Sequence, residues 1–363
     1  MSILDKKARV CCAISCINDL KTSKLLWGLL RYSAEKIDCI VVSQKPPSDA
    51  EVPNEFQGKP VFFDIQIAKQ NYPKMSGLYV CLTPVGGILP ASLIPLIIAA
   101  RNENLTVIMG FHDVYGAIPP KLKSDPGVIN IRSEESVYLN HYREQPRNSK
   151  ATVILTVGSD NAVGKMTTAL ELANQLKSMR INSTFAPTGQ TGVMITGDGV
   201  VADSISTDYL TGTISNYIAG KSKDHELVIV EGQGSITHST VSLGLIQGAR
   251  PDGMILCHDI SRVTLKGYET NSIRELDELI NIYEIVSSWF KPGERSAVIG
   301  VAVNTSTLEE SKAVETLSKM QKRLHIPVTD PVRFGIRHIT DSVLRIHSLK
   351  QPQLTQLKSE GHT

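Results

Sequence analysis

Gly158, Gly164 and Lys165 fall in the stretch TVILTVGSDNAVGKMTT, residues 152–168, where a β-branched, apolar run breaks at a glycine and restarts as an Ala- and Leu-rich helix. A strand, a Gly-flanked loop and a helix start together make an anion site. The first N–H groups of the helix lack partners, and its dipole favours negative charge there. Lys165 adds a point charge suited to a β- or γ-phosphate. Gly158, Ser159, Asp160, Asn161, Ala162, Val163, Gly164, Lys165, Met166 and Thr167 are therefore expected to cradle a phosphate-bearing ligand, with Gly164, Lys165 and Thr167 holding the phosphates. The spacing departs from the standard P-loop, because Ser159–Val163 puts five residues between the glycines where that motif has four. The position after the lysine should offer a hydroxyl to Mg²⁺, and here it is Met166.

The second informative stretch is ELVIVEGQGS, residues 226–235. Glu231 stands at the end of an apolar strand, followed by Gly232 and Gly234. An acidic residue there suits a Mg²⁺ ion or its waters in a P-loop fold, so Glu231 is the candidate metal ligand. In an acyl transfer it is instead the candidate catalytic base, if burial raises its pKa. His238, seven residues on, is a second catalytic candidate as a proton carrier. Cys257 and His258 adjoin at the end of MILCHD, but neighbours in a strand point to opposite faces. Cys257 is therefore read as packed, with His258 or Asp259 facing the site mouth. Asn304 closes the strand VIGVAVN and can offer its amide to an adenine edge. Thr188, Gln190 and Thr191 of a TGQTG turn, Gln233, His258, and His112 after LTVIMGF are expected to line the substrate site. Asp198, Asp203 and Asp208, spaced by five, do not share a helical face.

These residues need a scaffold that brings strand ends together. Apolar strand-like runs alternate with helical ones throughout the chain: RVCCAI, CIVVS, SGLYVCLTP and LTVIMGFHD before residue 141, then further strands after it. Alternation of this kind implies parallel sheets with helices on their faces, and such sheets place ligands at their C-terminal strand ends. The expected fold is α/β: an N-terminal Rossmann-like parallel sheet in 1–147, without a GxGxxG and so without NAD, followed by a P-loop three-layer α/β domain in 148–344. HYREQPRNSK, 141–150, reads as the linker and 345–363 as a polar, fraying tail.

Composition sets the outer limits. With 41% apolar and 20% charged residues, the 363-residue chain reads as soluble and globular. A net charge of +2 leaves no footprint for nucleic acid, and no apolar run is long enough to span a membrane. The first residues lack the apolar core of a signal peptide, and none of the six cysteines has zinc-ligand spacing, which fits a cytoplasmic location with free thiols. The partners expected are a small-molecule substrate and further copies of the chain as a homo-oligomer.

The motifs GSDNAVGK, VEGQGS and GVAVN, in that order, resemble the dethiobiotin synthetase-like P-loop proteins. More closely, GLLRY, TPVGGILP, GFHD, VGSDNAVGKMTTALEL, PTGQTGVM, VEGQGS, LGLIQGARPD, LCHD, VAVNTS and VTDPVRFG identify the chain as similar to a two-domain family long catalogued as a domain of unknown function. The characterised branch of that family comprises D-glutamate N-acetyltransferases. The resemblance implies transfer of an acetyl group from acetyl-CoA to the amino group of D-glutamate or a similar acidic amino acid. The stretch ITHSTVSLGLIQG looks shorter than the family's His-Pro-containing loop, so the acceptor is left open. Met166 belongs to the family pattern, and a loop lacking the metal-binding hydroxyl remains suited to the diphosphate of coenzyme A. The alternatives are ATP with Mg²⁺ in a carboxylate-activating ligase, and a nucleotide-switched binding protein.

Overall fold

The computed structural model describes residues 8–46, 53–113, 116–133, 150–238, 240–290 and 296–360. The expected linker, up to residue 149, lies outside the described residues. The chain forms two compact units, Met1–Glu135 with Gln190–Ser204, and Ser136–Gly189 with Ile205–Thr363.

In the first unit the strands are β1 (Arg9–Ile14), β2 (Ile37–Val42), β3 (Glu55–Phe56), β4 (Lys59–Phe62), β5 (Met75–Val80), β6 (Thr106–Met109) and β7 (Val128–Asn130). Helices α1 (Asp19–Thr22), α2 (Lys24–Tyr32), α3 (Ile65–Asn71), α4 (Ile94–Asn102) and α5 (Pro120–Lys123) connect them. The sheet order is β3-β4-β2-β1-β5-β6-β7, parallel apart from the β3–β4 pair. Strand order reverses at β1/β5, as in doubly wound sheets. Apart from the Arg9–Asp38 ion pair, β1 and β2 are apolar and almost wholly buried because helices cover such a sheet on both faces. Ser23 caps α2 by accepting from the Leu26 N–H, and Asp64 caps α3 by accepting from Gln66 and Ile67. All six cysteines are free thiols, five of them buried.

The second unit continues with β8 (Thr152–Gly158), α6 (Lys165–Ser178) and β9 (Ser183–Ala186). α7 (Gln190–Thr196) then belongs to the first unit. Next come α8 (Thr207–Lys221), β10 (Leu227–Val230), α9 (Thr240–Ala249), β11 (Gly253–Asp259), a hairpin of β12 (Thr264–Leu265) and β13 (Tyr268–Ser272), α10 (Leu276–Trp289), β14 (Ala297–Asn304), α11 (Glu310–Leu324), β15 (Val328–Thr329) and α12 (Arg337–Glu360). The six-stranded sheet runs β15-β14-β11-β8-β10-β9, all parallel. α6 packs with α12, and α9 packs with α8 and α10, so helices flank the sheet in two groups.

Four expectations need correction. The TGQTG stretch is no turn: from Gln190 onward it is helix, with Val193, Met194 and Ile195 buried and the Tyr79 hydroxyl donating to the Met194 carbonyl. Most of ITHSTVSLGLIQG is α9 rather than a loop. The helical spacing of Ile273, Leu276, Ile280, Tyr283 and Val286 predicts a core-facing helix over 272–290, but it starts at Leu276, because residues 268–272 pair in the hairpin. Residues 345–350 are not a fraying tail but part of α12. Ile339 and Ile346, two turns apart, press on Gly300 and Gly253, where any Cβ would stand within 3 Å of them. His347 Nδ1 meets the Thr152 hydroxyl at 3.0 Å, and Lys350 Nζ reaches Asp252 and the Ala151 carbonyl, both at 2.7 Å. A narrow apolar stripe in a polar segment hid this helix. Ile346→Ala, at a half-buried position, should lower stability by about 1–2 kcal/mol, read as an earlier urea midpoint; an unchanged midpoint would mean that this end of α12 adds nothing.

Candidate functional site

The phosphate loop follows β8, whose seven residues are all buried. Gly164, at φ +100°, caps α6 in a left-handed conformation that favours glycine. Ala162, at φ +58°, costs roughly 1–2 kcal/mol there, strain of the kind found in ligand loops. Lys165 is buried and folds back, its Nζ donating to the Asp160 carbonyl at 2.8 Å. Thr168 turns its hydroxyl to Cys257, 3.4 Å away, so it faces the core. Burial pushes the Cys257 thiol up to about 11, which leaves it unreactive.

Asp160 is fully buried in the middle of an anion loop, a placement its charge would forbid without partners. Its Oδ2 accepts from Arg262 Nη1 at 3.2 Å and from the Lys266 N–H at 3.0 Å, and its Oδ1 from the Asn161 N–H at 2.6 Å. The carboxylate is therefore neutralised within the protein, and the side chain is not directed at a ligand. Asn161 is also committed, with its Nδ2 2.9 Å from Nδ1 of His238. His238 Nε2 lies 2.8 Å from the Lys266 carbonyl, and its ring stacks edge-on with Tyr268 at 4.9 Å. His238, expected to carry protons, thus braces the loop against the β12–β13 hairpin. Ser159 is held by His258, Oγ to Nδ1 at 2.9 Å. Burial lowers the pKa of His258 and favours the neutral ring.

Glu231 lies at the C-terminal end of β10, next to β8. Its Oε2 accepts from the Thr188 and Gly189 N–H groups, each at 3.2 Å, and its carbonyl accepts from the Thr188 hydroxyl at 2.6 Å. Gln233 Nε2 donates to the same hydroxyl at 3.4 Å. Burial pushes the Glu231 carboxyl up to about 7, although both amides, Gln233 and the Lys165 charge pull it down. Gly232 fixes this segment, since its N–H donates to the Thr156 hydroxyl at 3.0 Å and a Cβ there would stand 1.7 Å from the Thr156 carbonyl oxygen. Tyr283 from α10 ties the two halves, donating to the Gly158 carbonyl at 2.8 Å and accepting from the Ile236 N–H at 2.9 Å.

The second unit thus brings together the phosphate loop, Thr188, Glu231, Gln233, His238 and His258. Asn304, at the end of β14, is occupied: its Nδ2 donates to Asp259 at 3.1 Å and its Oδ1 accepts from the Ser306 N–H at 3.1 Å. Gln190, Thr191 and His112 belong to the first unit. Arg262 and Tyr283 escaped the sequence reading. Nothing marks Arg262 in the sequence, and Tyr283 fell on a core stripe, where only its polar hydroxyl hinted at more. A Mg²⁺ ion fits poorly at the loop: Met166 lacks the hydroxyl and Thr168 faces the core. Among the described residues no helix is long and apolar enough to cross a membrane.

Comparison with known proteins places this geometry in a lineage. A D-glutamate N-acetyltransferase from Tritonibacter scottomollicae is 35% identical over 195 residues, which is 53% of this chain and 58% of that enzyme. The chain therefore spans little more than half the length of that relative. A second D-glutamate N-acetyltransferase, from a Pseudoalteromonas species, is 28% identical over 261 residues, covering 70% of this chain and 77% of its own. A crystal structure of a DUF1611 family protein from Anabaena variabilis superposes with a TM-score of 0.80 at 28% identity, covering 93% of this chain and 99% of that one. The P-loop domain of unknown function called DUF1611_C matches residues 140–340, more than half of the chain. The protein belongs to the DUF1611 P-loop family.

Proposed function

We propose that the protein is an N-acetyltransferase that moves an acetyl group from acetyl-CoA to the amino group of an acidic amino acid. The observation that carries this reading is Glu231, a buried carboxyl brought to about 7 and held by two backbone amides within reach of the Lys165 charge. Two relatives named as D-glutamate N-acetyltransferases support it. A carboxylate with that pKa accepts a proton from an incoming ammonium near neutral pH. The freed amine then attacks the thioester carbonyl, the C–N bond forms, the C–S bond breaks, and coenzyme A leaves as the thiol. The phosphate loop from Gly158 to Thr167 takes the coenzyme A diphosphate through backbone N–H groups and Lys165, which leaves the Asp160 carbonyl to do so. Coenzyme A needs no metal in such a cradle, so Met166 is no defect.

The test follows free thiol with acetyl-CoA and a panel of D- and L-amino acids in excess EDTA, with ADP release from ATP and Mg²⁺ measured in parallel. Amino-acid-dependent thiol release that survives EDTA is the expected result. ADP formation abolished by EDTA, with no thiol release from any acceptor, would replace this reading with an ATP-dependent ligase. Lys165→Ala should weaken coenzyme A by roughly ten- to a hundredfold, the cost of one charge-assisted hydrogen bond, while circular dichroism stays unchanged. Equal calorimetric affinity in the variant would take the loop out of the mechanism.

A further inference from the structure

Asp160 is the one acidic residue between the two glycines of the phosphate loop, and it is wholly buried. A carboxylate in an anion loop is a tethered rival to the ligand, because the partnerless N–H groups that take a phosphate also take a carboxylate. What withholds it lies outside the loop. Its Oδ2 accepts from Arg262 Nη1 at 3.2 Å and from the Lys266 N–H at 3.0 Å, groups on either side of β12.

Arg262 is itself placed by two strand ends. At the end of β11, Asp259 Oδ1 accepts from the Ser261 N–H at 3.0 Å and the Ser261 hydroxyl at 2.6 Å, and Oδ2 accepts from Asn304 Nδ2 at 3.1 Å. The Asp259 carbonyl accepts from the Arg262 N–H at 2.9 Å, and the Ile260 N–H donates to the Asn304 carbonyl at 3.2 Å. The turn 259–262 is thereby fixed on β11 and β14, and from it the guanidinium reaches Asp160. The hairpin beyond has little of its own to hold it. Residues 266–272 are exposed, and Leu265 is the one buried side chain in 264–272. A two-stranded ribbon of that size is not stable by itself, so its bonds to Asp160 and His238 dock it on the loop.

We propose that Arg262 is a positioning residue that, acting through Asp160, keeps the anion cradle open. Paired with the guanidinium, the carboxylate is directed to the hairpin. Deprived of it, the carboxylate turns to the loop's own N–H groups and takes the place of the phosphate. The hairpin is then a latch, because the loop accepts a diphosphate only while residues 262–266 are docked. Ala162, two residues on at φ +58°, keeps its strained conformation only while the bonds around it hold. This role rests on the reading that the loop binds a diphosphate, and it is indifferent to acyl transfer.

Calorimetry on the full chain tests it with coenzyme A and with ADP, two probes that share a diphosphate. Arg262→Met keeps an aliphatic stem but not the charge. It should weaken whichever probe the wild type binds by roughly ten- to a hundredfold, the cost of displacing one carboxylate–amide bond, while circular dichroism stays unchanged. Adding Asp160→Asn to Arg262→Met removes the rival charge and should recover most of that loss. Arg262→Lys retains a point charge and should lose less. Its smaller loss should be relieved by Asp160→Asn in the same way, which keeps the comparison if Arg262→Met does not fold. A double variant as weak as its single parent, or wild-type affinity in Arg262→Met, would overturn the role and leave Arg262 a structural brace. Wild-type binding without thiol release overturns acetyl transfer alone. No heat from either probe up to about 10 mM would overturn the cradle and this role with it.

Discussion

Replacing Glu231 with glutamine should cut turnover by roughly 10²–10⁴-fold while leaving coenzyme A affinity nearly unchanged, the signature of a lost general base. Glutamine keeps a carbonyl oxygen for the Thr188 and Gly189 N–H groups, so the local fold should persist. The wild-type rate should rise with pH through about 7, where the carboxyl loses its proton, and the residual rate of the variant should lose that inflection. Stability gives a second reading with a definite sign. The folded-state pKa is raised from 4.5 to about 7, so between those values the native state holds a proton that the unfolded chain has released. Glu231 therefore costs stability as pH rises across that window, by about 3 kcal/mol once both are passed. Glu231→Gln should flatten this fall, and urea melts at pH 5 and pH 8 measure it. A variant with full activity and an unchanged pH profile would remove Glu231 from catalysis.

Gly232→Ala should be the most damaging single methyl in the second unit. At 1.7 Å from the Thr156 carbonyl oxygen, the new Cβ meets backbone on a central strand, which cannot move aside as a side chain would. The segment must shift, breaking the Gly232–Thr156 hydrogen bond and carrying Glu231 away from its amides. A loss of more than about 4 kcal/mol is expected, enough to leave the purified variant largely unfolded. If it folds, it should lack transferase activity. A stable, fully active Gly232→Ala protein would show that the approach of this segment to β8 is not required. Gly189→Ala makes a milder comparison, because its Cβ would meet the Gln233 amide at 2.6 Å and Glu231 Oε1 at 2.9 Å, ends of side chains that can yield.

Residues 152–168 and 226–235 were legible as strand, loop and helix start because those signals are local. An apolar run, a glycine break and a helix start specify strand, loop and anion-binding amides within a few residues, whatever surrounds them. Parallel α/β architecture followed from the same alternation. Other features depend on partners far along the chain. Asp160 reads only as part of the ligand loop, and the fold alone sets Arg262, 102 residues later, against its carboxylate. His238 reads as a proton carrier, and only the fold shows that Asn161 and Lys266 meet its two nitrogens. Arg132 carries no motif, and only the close approach of bare backbone at Gly87 brings its guanidinium beside His112. Glu231 shows the division most clearly. Its place at a strand end was written in the sequence, but its raised pKa comes from burial beside the ends of β9 and β10 and the start of α6, which tertiary packing alone assembles.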